Sequence, residues 1–266
     1  MNTLTNTAKI NKKNLFIQNP IMKRLSKVKE QSSEHVTYKG IAKKCGFFVL
    51  MIIAGIALTF LTSILCGMTS GSTAIYPIPF IALLGVATLA TLITPFIAIF
   101  AKKCTAVAGS IFCASIGIVY TSSALLVESC RNEILLALFV TVALFGALTL
   151  LFALNLIKVT QKFKSVSYIT LSALLLTGIL LVVSLFIPAL SGPVAAIMAN
   201  PVVCIALSVL SVIVASMFVL TDLQNVRDAV NNQVPKSYEW YGAFGIIFSV
   251  IWLFAEVLSL ISKIKN

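Results

Sequence analysis

Two stretches of equal length, residues 45–101 and 165–221, contain no Asp, Glu, Lys or Arg. Such segments cannot build a water-facing surface. One helical span of a bilayer takes about 20 residues, so each stretch holds two spans and a turn. Composition agrees: 59% of residues are apolar and 11% charged, with a mean hydropathy of +1.03. That leaves too little polar surface for a soluble globule of this length. The expectation is an all-α integral membrane protein, a bundle of seven transmembrane helices.

The boundaries of the spans can be read from polar runs. The first span covers about residues 46–65 and closes at the polar turn from Cys66 to Thr73. Tyr76-Pro77-Ile78-Pro79 reads as an interfacial entry to the second, about 80–101, where Pro95 is expected to kink the helix. The third, about 106–127, is rich in Ala, Ser, Gly and Cys. That composition lets backbones approach closely in lipid, so this helix is expected to be central. The charged turn from Glu128 to Glu133, whose acids read as solvated, leads to a fourth span over about 134–157. The basic run from Lys158 to Lys164 leads to a fifth over about 168–186. The sixth covers about 202–220, and Leu223, Val226, Val230 and Val234, at steps of three and four, carry that helix on to Pro235. The seventh, about 240–261, is broken in character by Gly242 and Gly245.

The net charge of +12 would suggest a nucleic-acid partner in a soluble protein, but ten of the twenty Lys and Arg lie in the first 44 residues. They read as a basic cytoplasmic tail near anionic lipid, largely disordered, ahead of a membrane domain over residues 45–266. No nucleic-acid partner is expected. A short amphipathic helix around Ile21, Met22 and Leu25 is one option within the tail, and His35 reads as a solvated surface residue. Counted on alternate sides of seven spans, seventeen Lys and Arg fall with the amino terminus and three opposite. The positive-inside rule then places that terminus in the cytoplasm of a multi-pass cell-membrane protein. Seven crossings put the carboxyl terminus outside; a last segment that dips in and returns would place it inside.

Enzyme chemistry finds no foothold. There is one histidine, and none of the G-x-x-x-x-G-K, H-E-x-x-H or G-x-S-x-G patterns occurs. The six cysteines form no C-x-x-C pair and read as small buried hydrophobes. No cofactor is implied.

Two acids remain to be explained. Asp222 and Glu256 are the carboxylates that fall within the last two apolar stretches. A charge at bilayer depth costs about 2.5 kcal/mol or more by insertion scales, so such acids face a cavity, pair, or hold a proton. Arg227, five residues after Asp222, lies roughly 140° around the helix and is a poor counter-ion on it, a helper at most. Because the seventh span returns antiparallel beside the sixth, Asp222 and Glu256 can be read as a carboxyl pair sharing one proton, a pH-sensing latch. A helix begun at Trp240 carries Glu256 about 24 Å along its axis, so a meeting requires a break at the glycines or a first turn outside the hydrocarbon. The plainer alternative is that Asp222 marks the inner end of the sixth span and Glu256 nears the far interface. Glu239, Trp240 and Tyr241 read as interfacial anchors.

The run Asp222-Leu223-Gln224-Asn225-Val226, the segment from Glu239 to Gly245 and the terminal run from Trp252 to Leu258 resemble the carboxyl-terminal signature of Bax inhibitor family membrane proteins. The nearest likeness is to a bacterial branch with a polar amino-terminal extension. Asn19-Pro20, Lys39-Gly40 and the run from Ile157 to Phe163 are similar too. The resemblance implies seven helices around a central last one, and a pH-sensitive calcium leak sensed by two acids on the final two helices. Asp222 matches the first of these and Glu256 the second, with Glu where Asp is common and at a longer spacing. An acid expected before a glycine in the third span is replaced by Ile116-Gly117.

Three functions follow as alternatives. In a leak, the carboxylates of Asp222 and Glu256 offer hard oxygen ligands to calcium as the permeant ion. A non-conducting regulator would bind a membrane protease or another membrane protein, with the basic tail as contact surface. A small-solute transporter would need a midplane site among broken helices. The bilayer is the one obligatory partner, and a monomer is the favoured state.

Overall fold

The structure is a computed structural model and describes residues 34–66, 77–184, 192 and 199–265. Among the described residues there are seven long helices: α1 Tyr38–Leu65, α2 Ile78–Phe100, α3 Thr105–Leu126, α4 Glu128–Ala153, α5 Gln161–Ser184, α6 Pro201–Asn231 and α7 Glu239–Lys265. Six helices among the described residues are long and apolar enough to cross a membrane. The chain is a helical, multi-pass membrane protein. The amphipathic option around Ile21 lies outside the described residues.

α7 packs against α1, α2, α3, α4 and α6, whereas α5 packs mainly on α6. α3 has the largest buried share of the six apolar helices, as its small-residue composition predicts. Phe48, Phe112 and Phe244 form the aromatic centre between α1, α3 and α7, with ring centroids 5.9–6.0 Å apart along the chain of contacts. In lipid the gain comes from close packing rather than from expulsion of water. Glycines permit that packing where α1 crosses α3: a Cβ on Gly55 would collide with the Ala114 carbonyl oxygen, and one on Gly117 with that of Ile52. Gly117→Ala is therefore expected to push α1 and α3 apart and to cost about 1–3 kcal/mol. Unfolding in mixed micelles reads this, and an unchanged midpoint would refute the close crossing.

Several expected boundaries move. α1 starts at Tyr38, inside the stretch assigned by composition to the tail, because Thr37 caps it by accepting a hydrogen bond from Gly40 N at 3.0 Å. Residues before it pair with the segment entering α7: Val36 N donates to Val234 O at 2.8 Å and Lys236 N to Glu34 O at 3.0 Å. Residues 34–44 thus belong to the folded domain, and His35 is exposed and bridged to Pro235. α6 stops at Asn231 rather than Pro235. Gln233 takes a left-handed φ of 50°, and the amides of Gln233 and Val234 turn back to the carbonyls of Val230 and Ala229, the Schellman arrangement usually made by glycine. Gln233→Gly removes the steric cost of that conformation and is expected to stabilise the protein by about 0.5–1 kcal/mol, read as a raised Tm.

α7 is one uninterrupted helix, so neither a break at Gly242 and Gly245 nor a dip-and-return segment describes it. Its glycines admit neighbours instead: a Cβ on Gly242 would touch Ile41 at 3.5 Å, and one on Gly245 would touch Asp222 at 3.9 Å. Pro95 is carried inside α2 without ending it. All six cysteines are free, but Cys113 alone is fully buried and Cys104 is exposed.

Candidate functional site

Asp222 lies on the α6 face that meets the small-residue stripe of α7. One of its oxygens accepts a short hydrogen bond from Ser249 Oγ, and the other accepts from Asn225 Nδ2 at 3.4 Å. The expected partner, Glu256, is elsewhere: its Oε1 accepts from Trp252 Nε1 at 2.9 Å within α7. Register explains the separation. Asp222 meets Ser249, and fourteen residues earlier on α6 Ser208 Oγ accepts from Lys263 Nζ at 2.6 Å, fourteen residues later on α7. These two bonds fix one antiparallel alignment, which sets Glu256 level with Ala215. Glu256 therefore stands seven residues beyond Ser249, about 10 Å along the axis. Direct proton sharing gives way to two acids spaced along one α7 stripe, Asp222 bonded to it at Ser249 and Glu256 within it.

That stripe, Gly242, Gly245, Ser249, Trp252 and Glu256, advances by steps of three and four. From Gly245 onward it faces a cavity of about 1030 Å³ bounded by α2, α3, α5, α6 and α7, and both acids line it. Tyr120, Tyr168, Ser208, Ser211 and Ser249, with Thr91, Thr177 and Lys263, add polar groups to walls that are mainly aromatic and aliphatic. The Tyr168 hydroxyl is buried and has no hydrogen-bond partner. On the other side of Asp222, a void of about 30 Å³ is closed by Val36 and Ile41 from the amino-terminal segment. Among the described residues no three His, Cys, Asp or Glu side chains converge as a metal site.

Two further charges, Lys164 and Asp228, stand behind Asn225, and composition alone hides them. Lys164, in the first turn of α5, is 4% exposed. Its Nζ donates to Asn225 Oδ1 at 3.1 Å and to Asp228 Oδ2 at 3.3 Å, and Gln224 holds the other Asp228 oxygen at 2.7 Å. Lys164, Asn225 and Asp222 thus form one relay from α5 to α7. Arg227 does not help Asp222. Its guanidinium leaves for the end of α4, donating to Asn155 Oδ1 at 2.9 Å and Phe152 O at 3.3 Å and stacking 4.0 Å from the Phe152 ring. There it closes an α4 end whose Asn155 is left-handed at φ 55°, a favourable position for a cation on a helix dipole.

The residues expected as interfacial anchors turn inward. Glu239 is 1% exposed. Its carboxylate accepts from Thr37 N and Thr37 Oγ1, each at 3.1 Å, and pairs with Lys44 Nζ at 2.5 Å. Lys44 also sits 5.2 Å from the Trp240 ring centroid. A Cβ on Gly40 would strike the Glu239 carboxylate, so Gly40 makes room for the pair. Trp240 packs edge-on against Phe47 and Phe48. Tyr241 is buried, its hydroxyl donating to Ile99 O at 3.3 Å. Glu133, expected in solvent, is buried and holds Lys265 at 3.1 Å.

The family model described as Bax inhibitor 1 like matches residues 19–266. Neither a curated protein nor a solved structure matches the chain.

Proposed function

The chain belongs to the Bax inhibitor 1 like family, and from that premise we propose that it is a pH-sensitive calcium leak of the cell membrane, with its amino terminus in the cytoplasm. One observation carries the reading: two carboxylates at different depths line a single large cavity between the last two helices and α2, α3 and α5. Asp222 is the pH-sensing group. Ionised, it accepts from both Ser249 and Asn225; protonated, it loses acceptor capacity and the tie from α6 to α7 weakens. Lys164, Asp228, Tyr168, Tyr238 and Tyr241 are the other titratable groups around it. Glu256 is the second cation contact, deeper along the path. Carboxylate and hydroxyl oxygens suit calcium, which accepts irregular oxygen shells.

The sidedness is supported by where the cations gather. The start of α1, the α4–α5 turn and the α6–α7 turn are joined by Lys44 to Glu239, Arg227 to Asn155 and Lys164 to Asn225. These are the ends richest in Lys and Arg. The test is calcium entry into dye-loaded liposomes that contain the purified protein, over a series of pH values. Entry no faster than in empty liposomes at every pH would end the proposal.

A further inference from the structure

A second cavity, of about 690 Å³, lies on another flank of the bundle, between α1, α3, α4 and α7. We infer that it seats one acyl chain of an anionic phospholipid, whose headgroup phosphate is held by Arg131. The volume is within the ~300–1,000 Å³ range of sites that enclose small amphiphiles. Its walls are apolar side chains such as Phe60, Ile134, Leu138, Val142 and Phe254. Thr141 spends its hydroxyl on its own helix, donating to Ala137 O at 2.7 Å.

The polar end is cationic. Arg131, in the first turn of α4, lines the mouth and is exposed. Among the described residues it has no hydrogen-bond or ion-pair partner. The other cations at this end are engaged, Lys263 with Ser208 and Lys265 with Glu133. The α4 amino terminus adds to the same field, since its N-cap, Val127, makes no side-chain capping bond. Guanidinium matches phosphate bidentately.

Length fits as well. Lining residues on α4 run from Arg131 to Phe145, about 21 Å at 1.5 Å per residue. One leaflet of hydrocarbon is about 15 Å deep, so the groove accommodates a tail with its headgroup at Arg131. Leu135, Leu138 and Val142 are 52–64% exposed along it, so the membrane itself can supply the occupant from the side. Tyr120, edge-on to Phe254 with ring centroids 4.8 Å apart, separates this groove from the carboxylate cavity and lines both.

The experiment is native mass spectrometry of the full chain titrated with phosphatidylglycerol or phosphatidylcholine of identical tails. One phosphatidylglycerol is expected to bind at least about tenfold more tightly than phosphatidylcholine, whose choline ammonium offsets the phosphate charge and competes with Arg131 for it. Arg131→Gln is expected to weaken the tight phosphatidylglycerol site by about tenfold, with any attraction of the basic tail for anionic lipid unchanged. Val142→Trp, which fills the groove, is expected to abolish the tight binding of phosphatidylglycerol. Equal binding of the two lipids by the unmodified protein, a tight phosphatidylglycerol site that Arg131→Gln does not weaken, or tight binding that survives Val142→Trp would each overturn the inference. Because this flank contains neither Asp222 nor Glu256, a failure of calcium entry leaves the result interpretable.

Discussion

Replacing Asp222 by Asn is expected to flatten the pH profile of calcium entry into liposomes, leaving the rate at the level the unmodified protein shows at its low-pH limit. Asn has the shape of the protonated acid but cannot lose a proton, so the bonds from Ser249 and Asn225 no longer change with pH. Glu256→Gln is expected to act differently, slowing entry by roughly tenfold with the pH profile kept, a loss of ~1.4 kcal/mol of attraction for the cation. The double variant discriminates further. Two acids that share a proton would show strong coupling, whereas groups about 10 Å apart with separate partners should give effects that add within about 0.5 kcal/mol. Strong non-additivity would mean that Asp222 and Glu256 meet in some working state. An Asp222→Asn protein that still responds to pH would remove Asp222 as the sensor.

The second large effect concerns the clamp between Lys44 and Glu239. Lys44→Met strands a buried carboxylate, and breaking such a pair from one side costs about 3–5 kcal/mol. Lys44→Met combined with Glu239→Gln is expected to recover most of that loss, because the amide keeps an acceptor for Thr37 while the uncompensated charge disappears. Unfolding midpoints in mixed micelles measure both. If the double variant is no more stable than Lys44→Met alone, the stability of this corner resides in something other than the charge pair. Gly40→Ala is the steric counterpart, forcing the carboxylate out of its place.

The features easiest to read from sequence are those governed by the solvent. Charge-free runs locate the helices, and the small residues of α3 announce a buried helix. Angular geometry already disqualifies Arg227 as a counter-ion for Asp222, and the structure sends it to α4 instead. What stays hidden depends on contacts between distant segments. Lys164 looks like one more inner-side lysine until α5 begins seven residues earlier than its apolar run and carries that side chain against Asn225. Glu239 beside Trp240 has the composition of an interfacial pair, and only the approach of Gly40 from across the chain converts it into a buried ion pair. Ser249 sits in an apolar run and carries no charge to attract notice. Its spacing from Gly242 and Gly245 was the available signal: the same stripe ends at Glu256, two turns too far along for that acid to face Asp222.

The matched spacing of the contacts from Asp222 to Ser249 and from Ser208 to Lys263 restricts how α6 and α7 can move. A slide of one helix past the other by a single turn would lose both contacts at the same moment, one at each extremity of the pair. Translation is therefore an all-or-none event, while a pivot about the Ser208 extremity could release Asp222 alone. A mechanical hinge far from the acid is thus built into the ladder that holds it.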